Sequence, residues 1–236
     1  MTALLTAKAL RAGYGAGDVL QGIDIAIATG EIVAVLGRNG VGKSTLMKSL
    51  IGILPLRSGE IRYDGRDLAK EPADRRARRG IGYVPQGREI FPHMTVEENL
   101  RMGRLIRRDR GAQAVLADVH GYFPFLKERA RQRAGTLSGG QQEMLAIARA
   151  LNGDPALLLL DEPSDGVQPS IVQEIGDFLV RLVAERAIAV LIVEQNIDLI
   201  QGAAGRAFVM DKGRFVAELD KAQIADTETL SHHLSI

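Results

Sequence analysis

The run Gly37-Arg-Asn-Gly-Val-Gly-Lys43-Ser44 constrains this chain more than any other feature. It fits GxxxxGK[ST] and stands between a short apolar run, residues 31–36 (EIVAVL), and a helix-like stretch, residues 43–54. Strand, glycine-rich loop, helix is the context that gives the pattern a physical meaning. Glycine lets the backbone curl until successive N–H groups point at one anion, and the helix start beyond adds partial positive charge. A plain glycine-rich turn before a helix is the alternative, and the flanking elements count against it. Gly37, Asn39, Gly40, Gly42, Lys43, Ser44 and Thr45 are therefore the expected phosphate ligands. Lys43 can reach the β- and γ-phosphates, and the Ser44 hydroxyl can hold Mg²⁺.

The rest of the pattern predicts an α/β chain. Residues 4–11 and 23–28 alternate apolar with polar or small residues, which suggests two strands around a turn at 13–18. Residues 61–63 and 81–84 read as further strands and 72–79 as a short helix, with proline near its start and Gly80 closing it. Residues 97–132 are mostly helical in pattern, and 141–152 form a clear helix with Met144, Leu145, Ala148 and Leu151 on one face. Residues 156–160 and 187–193 are apolar throughout, as strands buried on both faces of a parallel sheet tend to be. Residues 208–210 and 214–217 flank a hairpin turn at 211–213. The sum is one domain over residues 1–236: an α/β core, antiparallel strands at the front, and a helical insertion near residues 90–150.

In open α/β sheets, ligands bind beyond the carboxyl ends of the strands. Gln86 follows IGYVP, Asp161 and Glu162 follow ALLLL, and Gln195 follows AVLIVE. If these strands lie parallel beside the one feeding the glycine-rich loop, all four residues converge on the bound phosphates. Asp161 is then the expected Mg²⁺ partner of Ser44, and Glu162 is placed to polarise a water for in-line attack. An acidic cluster at a helix start is the bland reading of an Asp-Glu pair, and the phosphate loop outweighs it.

Composition narrows the function classes. Thirty lysines and arginines stand against 29 acidic residues, so no global basic field argues for nucleic acid. The arginine-rich stretches 75–79 and 104–110 read as solvated helix faces. With no cysteine, disulfides, thiol catalysis and cysteine zinc sites are excluded together. No stretch approaches the roughly 18 apolar residues of a membrane span, and the N-terminus lacks a signal-peptide core. The chain is expected in the cytoplasm, reaching a membrane only through partners.

Leu137-Ser-Gly-Gly-Gln141, together with the loop at 37–45, Gln86 and LLLLDEP at 157–163, makes almost the whole chain resemble the ATP-binding cassette ATPases. The resemblance implies a P-loop NTPase core with a parallel sheet, an antiparallel β subdomain and a helical subdomain, acting on ATP with Mg²⁺. It implies that Ser138, Gly139, Gly140 and Gln141 contact the γ-phosphate held by an opposite subunit. A serine and two glycines opening a helix expose N–H groups at its positive end, which suits that role. It also matches Tyr14 to an aromatic residue that stacks on adenine. Ser44, Gln86 and Asp161 become the candidate metal ligands, with Glu162, Gln86 and Gln195 the candidate catalytic residues.

Two positions depart from the family's general pattern: Gln195 stands where a switch histidine is usual, and Gln168 where an aspartate is usual. Glutamine can donate a hydrogen bond to a γ-phosphate but cannot titrate or carry charge. The expectation that follows is a pair of ATPase subunits with non-equivalent sites, a heterodimer, with a homodimer as the alternative. The segments YVPQGREIFPHMTVEENL, DEPSDGVQPSI and VEQN resemble the branch that serves branched-chain amino acid and urea uptake, with the urea or short-chain amide member matched more closely. That resemblance implies two membrane permease subunits, an extracellular or periplasmic binding protein acting indirectly, and a place on the inner face of the cell membrane. A DNA-maintenance ATPase is the remote alternative. Such relatives carry long coiled coils, whereas only about 50 residues separate Gln86 from Ser138 here.

Overall fold

The computed structural model describes residues 3–106 and 118–235. Two sheets form its frame. Strands β1 (Ala3–Ala12), β2 (Leu20–Ala28), β4 (Ser58–Tyr63) and β5 (Arg66–Asp67) make an antiparallel sheet in the order β2-β1-β4-β5. The second sheet runs β10-β9-β3-β8-β7-β6, from β3 (Ile32–Leu36), β6 (Ile81–Val84), β7 (Leu157–Asp161), β8 (Ala189–Glu194), β9 (Arg206–Asp211) and β10 (Arg214–Leu219). Its pairings are parallel from β9 to β6, and β10 closes one edge antiparallel.

The period-2 geometry of the central strands divides the interior into two cores. Val33, Val35, Leu157, Leu159, Leu191 and Val193 face the antiparallel sheet and helix α1 (Lys43–Ile51), meeting Leu5, Leu10, Ile23 and Leu46. Their alternates Ala34, Leu36, Leu158, Leu160, Val190 and Ile192 face the helices on the other side. These include α5 (Gly139–Leu151), α6 (Pro169–Arg186) and α7 (Ile197–Ala203). Strands covered on both faces read as near-continuous apolar runs, and in β3, β7 and β8 only the end residues Asp161 and Glu194 depart from this.

Helix ends differ from the sequence expectation for identifiable reasons. Helix α1 stops at Ile51, three residues early, because Gly52 turns left-handed (φ 85°) and returns its N–H to Lys48 and Ser49. Helix α5 starts two residues early, because Ser138 caps it: the hydroxyl accepts from Gln141 N–H while the Gln141 side chain accepts from Ser138 N–H. The 97–132 stretch is not one helix. Helix α3 (Val96–Arg104) has its own Thr95–Glu98 capping box, residues 118–122 are helical, and α4 (Pro124–Glu128) begins at a proline. Phe123, ahead of that proline, is held out of the helical region (φ −128°, ψ 73°). Residues 107–117, with much of the second arginine-rich stretch, lie outside the described residues. Among the described residues no helix is long and apolar enough to cross a membrane.

Candidate nucleotide site

The parallel register sets the strand ends side by side. Leu36 pairs with Glu194, Val193 with Asp161, and Leu160 with Val84. Each residue that follows these ends, in loops after β3, β6, β7 and β8, therefore opens onto the same edge of the sheet. A cavity of about 440 Å³ lies there, lined by Val19, Asn39, Gly40, Gly42, Lys43, Ser44, Thr45, Gln86 and Glu162.

Within it the polar groups are already organised. Lys43, 4% exposed, donates to the carbonyls of Gly37 (2.6 Å) and Arg38 (3.1 Å) and forms an ion pair with Glu162 Oε1 at 2.9 Å. Glu162 Oε2 accepts from the Gln86 amide at 2.9 Å. The Glu162 backbone is left-handed (φ 51°), a conformation that costs a non-glycine residue about 1 kcal/mol or more. Its N–H, donating to Val193 O at 2.9 Å, anchors it to β8. Ser44 Oγ donates to Asp161 Oδ1 (3.0 Å) and Tyr83 OH to Asp161 Oδ2 (3.2 Å). Burial pushes the Asp161 carboxyl above its ordinary range, against these two hydrogen bonds. The same burial, with the Asp161 charge beside it, raises Tyr83.

A hard divalent cation suits this set: Asp161, Ser44 and Gln86 offer only oxygen donors, and positive charge would offset the cost of burying Asp161. Gln195 Nε2 donates to Asn39 Oδ1 at 2.7 Å, which brings Gln195 onto the glycine-rich loop. Gly37 has no room for a side chain, since a Cβ there would stand 2.6 Å from Met210 O. Tyr14 is 54% exposed in the turn between β1 and β2. Arg57 clasps that turn through the carbonyls of Gly15 and Ala16 and through Asp18.

The remaining predicted residues are elsewhere. Ser138, Gly139, Gly140 and Gln141 open α5 and do not line the cavity that holds Lys43. Gly140 is closed against Ile171, whose Cγ2 would be 2.8 Å from a Cβ.

One residue that the sequence reading passed over is central. Glu194, 2% exposed, accepts from the N–H groups of Ser164 (2.9 Å), Gln195 (2.8 Å) and Asn196 (3.0 Å). It thereby ties the loop after Glu162 to the residue that meets Asn39. A carboxylate ending the otherwise apolar run AVLIVE was the available signal.

Glu143, buried inside α5, has its carboxyl pushed up to about 7 by burial, with Arg88 opposing and Glu194 and Asp165 adding to the rise. Its folded value exceeds the ordinary 4.5, so the fold holds the extra proton between those values and loses stability as pH rises through them. Comparing Glu143→Gln with the parent chain by chemical denaturation at pH 4.5 and pH 8 should show the parent losing on the order of 3 kcal/mol relative to the variant. A pH-independent difference would contradict this.

Comparison with known proteins agrees with the geometry. The family model described as ABC transporter matches residues 20–165. The high-affinity branched-chain amino acid transport ATP-binding protein BraG of Pseudomonas aeruginosa is 45% identical over 203 residues, 86% of this chain and 87% of its own. The lipopolysaccharide export system ATP-binding protein LptB of Escherichia coli K12 is 36% identical over 228 residues, 96% of this chain and 94% of its own. A crystal structure described as the ADP conformation of an ATP-binding cassette of an ABC transporter superposes with a TM-score of 0.86 at 25% identity, covering 98% of both chains. The chain belongs to the ABC transporter family, as an ATPase subunit that hydrolyses ATP to drive transport.

Proposed function

We propose that the chain powers an importer of branched-chain amino acids. The observation that carries this is the 45% identity to BraG over 86% of the chain. Of the two substrates that the sequence segments suggest, the relatives' names favour branched-chain amino acids over urea. In this reading the chain is one cassette domain, with residues 90–150 as its helical part. It sits on the cytoplasmic face of the membrane against two permease subunits and a second ATPase, served by an extracellular binding protein and contacting no nucleic acid.

The roles follow from the site. Lys43 and the N–H groups of Gly40 to Thr45 hold the phosphates, and Tyr14 stacks on the adenine. Ser44, Asp161 and Gln86 would hold Mg²⁺, which when bound neutralises charge between the β- and γ-phosphates. Glu162 is divided between Lys43 and Gln86. A γ-phosphate offers Lys43 a stronger partner, and the released carboxylate can then take a proton from the attacking water. Gln195, steadied by Asn39, donates to the γ-phosphate. Ser138, Gly139, Gly140 and Gln141 stand away from Lys43, which supports their serving the nucleotide of the second ATPase. Gln195 supports that second ATPase being a different chain, with a site of different turnover.

Uptake of labelled leucine and of labelled urea in a strain deleted for this gene separates the readings. Lost leucine uptake with intact urea uptake is expected. The reverse result would restore urea as the substrate, and loss of neither would remove the importer assignment, leaving export of the LptB kind to be measured.

A further inference from the structure

Arg88 lies two residues beyond Gln86, and its side chain meets three separate parts of the site. Nε forms an ion pair with Glu143 Oε2 at 3.2 Å. Nη2 donates to the carbonyls of Asp165 (3.1 Å) and Gly166 (3.4 Å), in the loop after Glu162. The guanidinium also lies against the start of α5: a Cβ on Gly139 would stand 3.4 Å from Nη2 and 3.5 Å from Nη1. That is ordinary van der Waals contact, so the guanidinium packs directly on the first turn of the helix.

The backbone is committed to this arrangement. Arg88 and Glu89 are both left-handed (φ 72° and 45°), which for non-glycine residues stores about 1–2 kcal/mol each. Such strain persists only where surroundings impose it. Here Arg149, also on α5, donates to the carbonyls of Arg88 (3.2 Å) and Glu89 (2.8 Å). The loop after Gln86 is thus pinned to α5 at two points, one near the helix start and one near its end.

We propose that Arg88 is a positioning residue that, through Glu143 and the Asp165–Gly166 carbonyls, holds the Ser138–Gly140 end of α5 in register with the Gln86–Glu162 pair. A shift at Gln86, when Glu162 exchanges partners, is then passed to the helix start that serves the other ATPase. Burial raises the Glu143 carboxyl and Arg88 opposes that rise, so the ion pair offsets only part of the cost of burying the carboxylate. The inference rests on the reading that Ser138–Gly140 acts on a second subunit's nucleotide.

The test uses the assembled transporter, purified with its own partner subunits, and measures kcat and KM for ATP hydrolysis. Arg88→Ala and Glu143→Gln should each lower kcat about 10- to 100-fold, as a small misplacement of an otherwise intact group does. KM should stay within about twofold, since the phosphate loop is untouched. The double variant should be no slower than the slower single variant, because the two residues act as one unit. Arg88→Lys, which keeps the cation but loses the fork, should fall between parent and Arg88→Ala. It also keeps the test open if Arg88→Ala fails to fold. Unchanged kcat, a raised KM at unchanged kcat, or losses that multiply in the double variant would overturn the proposal. Ser138→Ala measured alongside separates the two layers. If it leaves hydrolysis unchanged, the shared-site reading has failed and the coupling through Arg88 falls with it. If it slows hydrolysis while the Arg88 and Glu143 variants do not, only the coupling is wrong.

Discussion

Glu162→Gln should bind ATP at least as tightly as the parent chain while hydrolysing it about 10²–10⁴-fold more slowly, the range that a positioned general base contributes. The substitution keeps the size of the side chain and one carbonyl oxygen. Gln86 therefore retains its acceptor, and the left-handed backbone at residue 162 is not disturbed. What disappears is the negative charge 2.9 Å from Lys43 Nζ and the capacity to take a proton. Removing that charge frees Lys43 for the phosphates, so affinity is held or gains. Nucleotide titration and steady-state hydrolysis of the assembled complex read the two halves separately. A near-normal rate would remove Glu162 as the base in this subunit. Weakened binding with a proportionate rate would mean that the Lys43–Glu162 pair organises the loop rather than competing with substrate.

How much of this site was legible in the sequence depends on whether a residue acts through its neighbours in the chain or across the fold. The glycine-rich loop is local: strand, loop and helix are contiguous, and the pattern alone places Lys43 and Ser44. The convergence of Gln86, Glu162 and Gln195 was legible only as a conditional, because it requires β3, β8, β7 and β6 to be parallel neighbours, which they are. Doubly buried strands gave the right hint through unbroken apolar runs.

Arg88 and Glu143 were invisible for the opposite reason. An arginine in a loop and a glutamate in a helix read as surface charges, and their pairing spans 55 positions. Helix α6 was overlooked although Val172, Ile175, Leu179 and Leu182 recur at helical spacing on its buried side. The long helical reading of 97–132 failed where Pro124, with the non-helical Phe123 ahead of it, divides the stretch. Periodicity survives such interruptions while the backbone does not.

Lys43→Ala should lose ATP binding by about 10²-fold or more, and should also weaken the fold, for two separable reasons. The ammonium is buried and makes charge-assisted contacts that a triphosphate would inherit. Losing hydrogen bonds to a charged group at about 1.5–3 kcal/mol each is enough for the predicted drop. The fold suffers because Glu162, 8% exposed, is left as a buried carboxylate whose cation has gone. Breaking such a pair from one side costs about 3–5 kcal/mol. Combining Lys43→Ala with Glu162→Gln removes the stranded charge, so the double variant should recover most of the lost stability in a denaturant titration. It should recover none of the ATP affinity, because the phosphates still lack their cation. If stability and affinity return together, the defect lies in the folding of the loop. If neither returns, Lys43 holds the Gly37 and Arg38 carbonyls in place as its main role, and the ion pair with Glu162 is secondary.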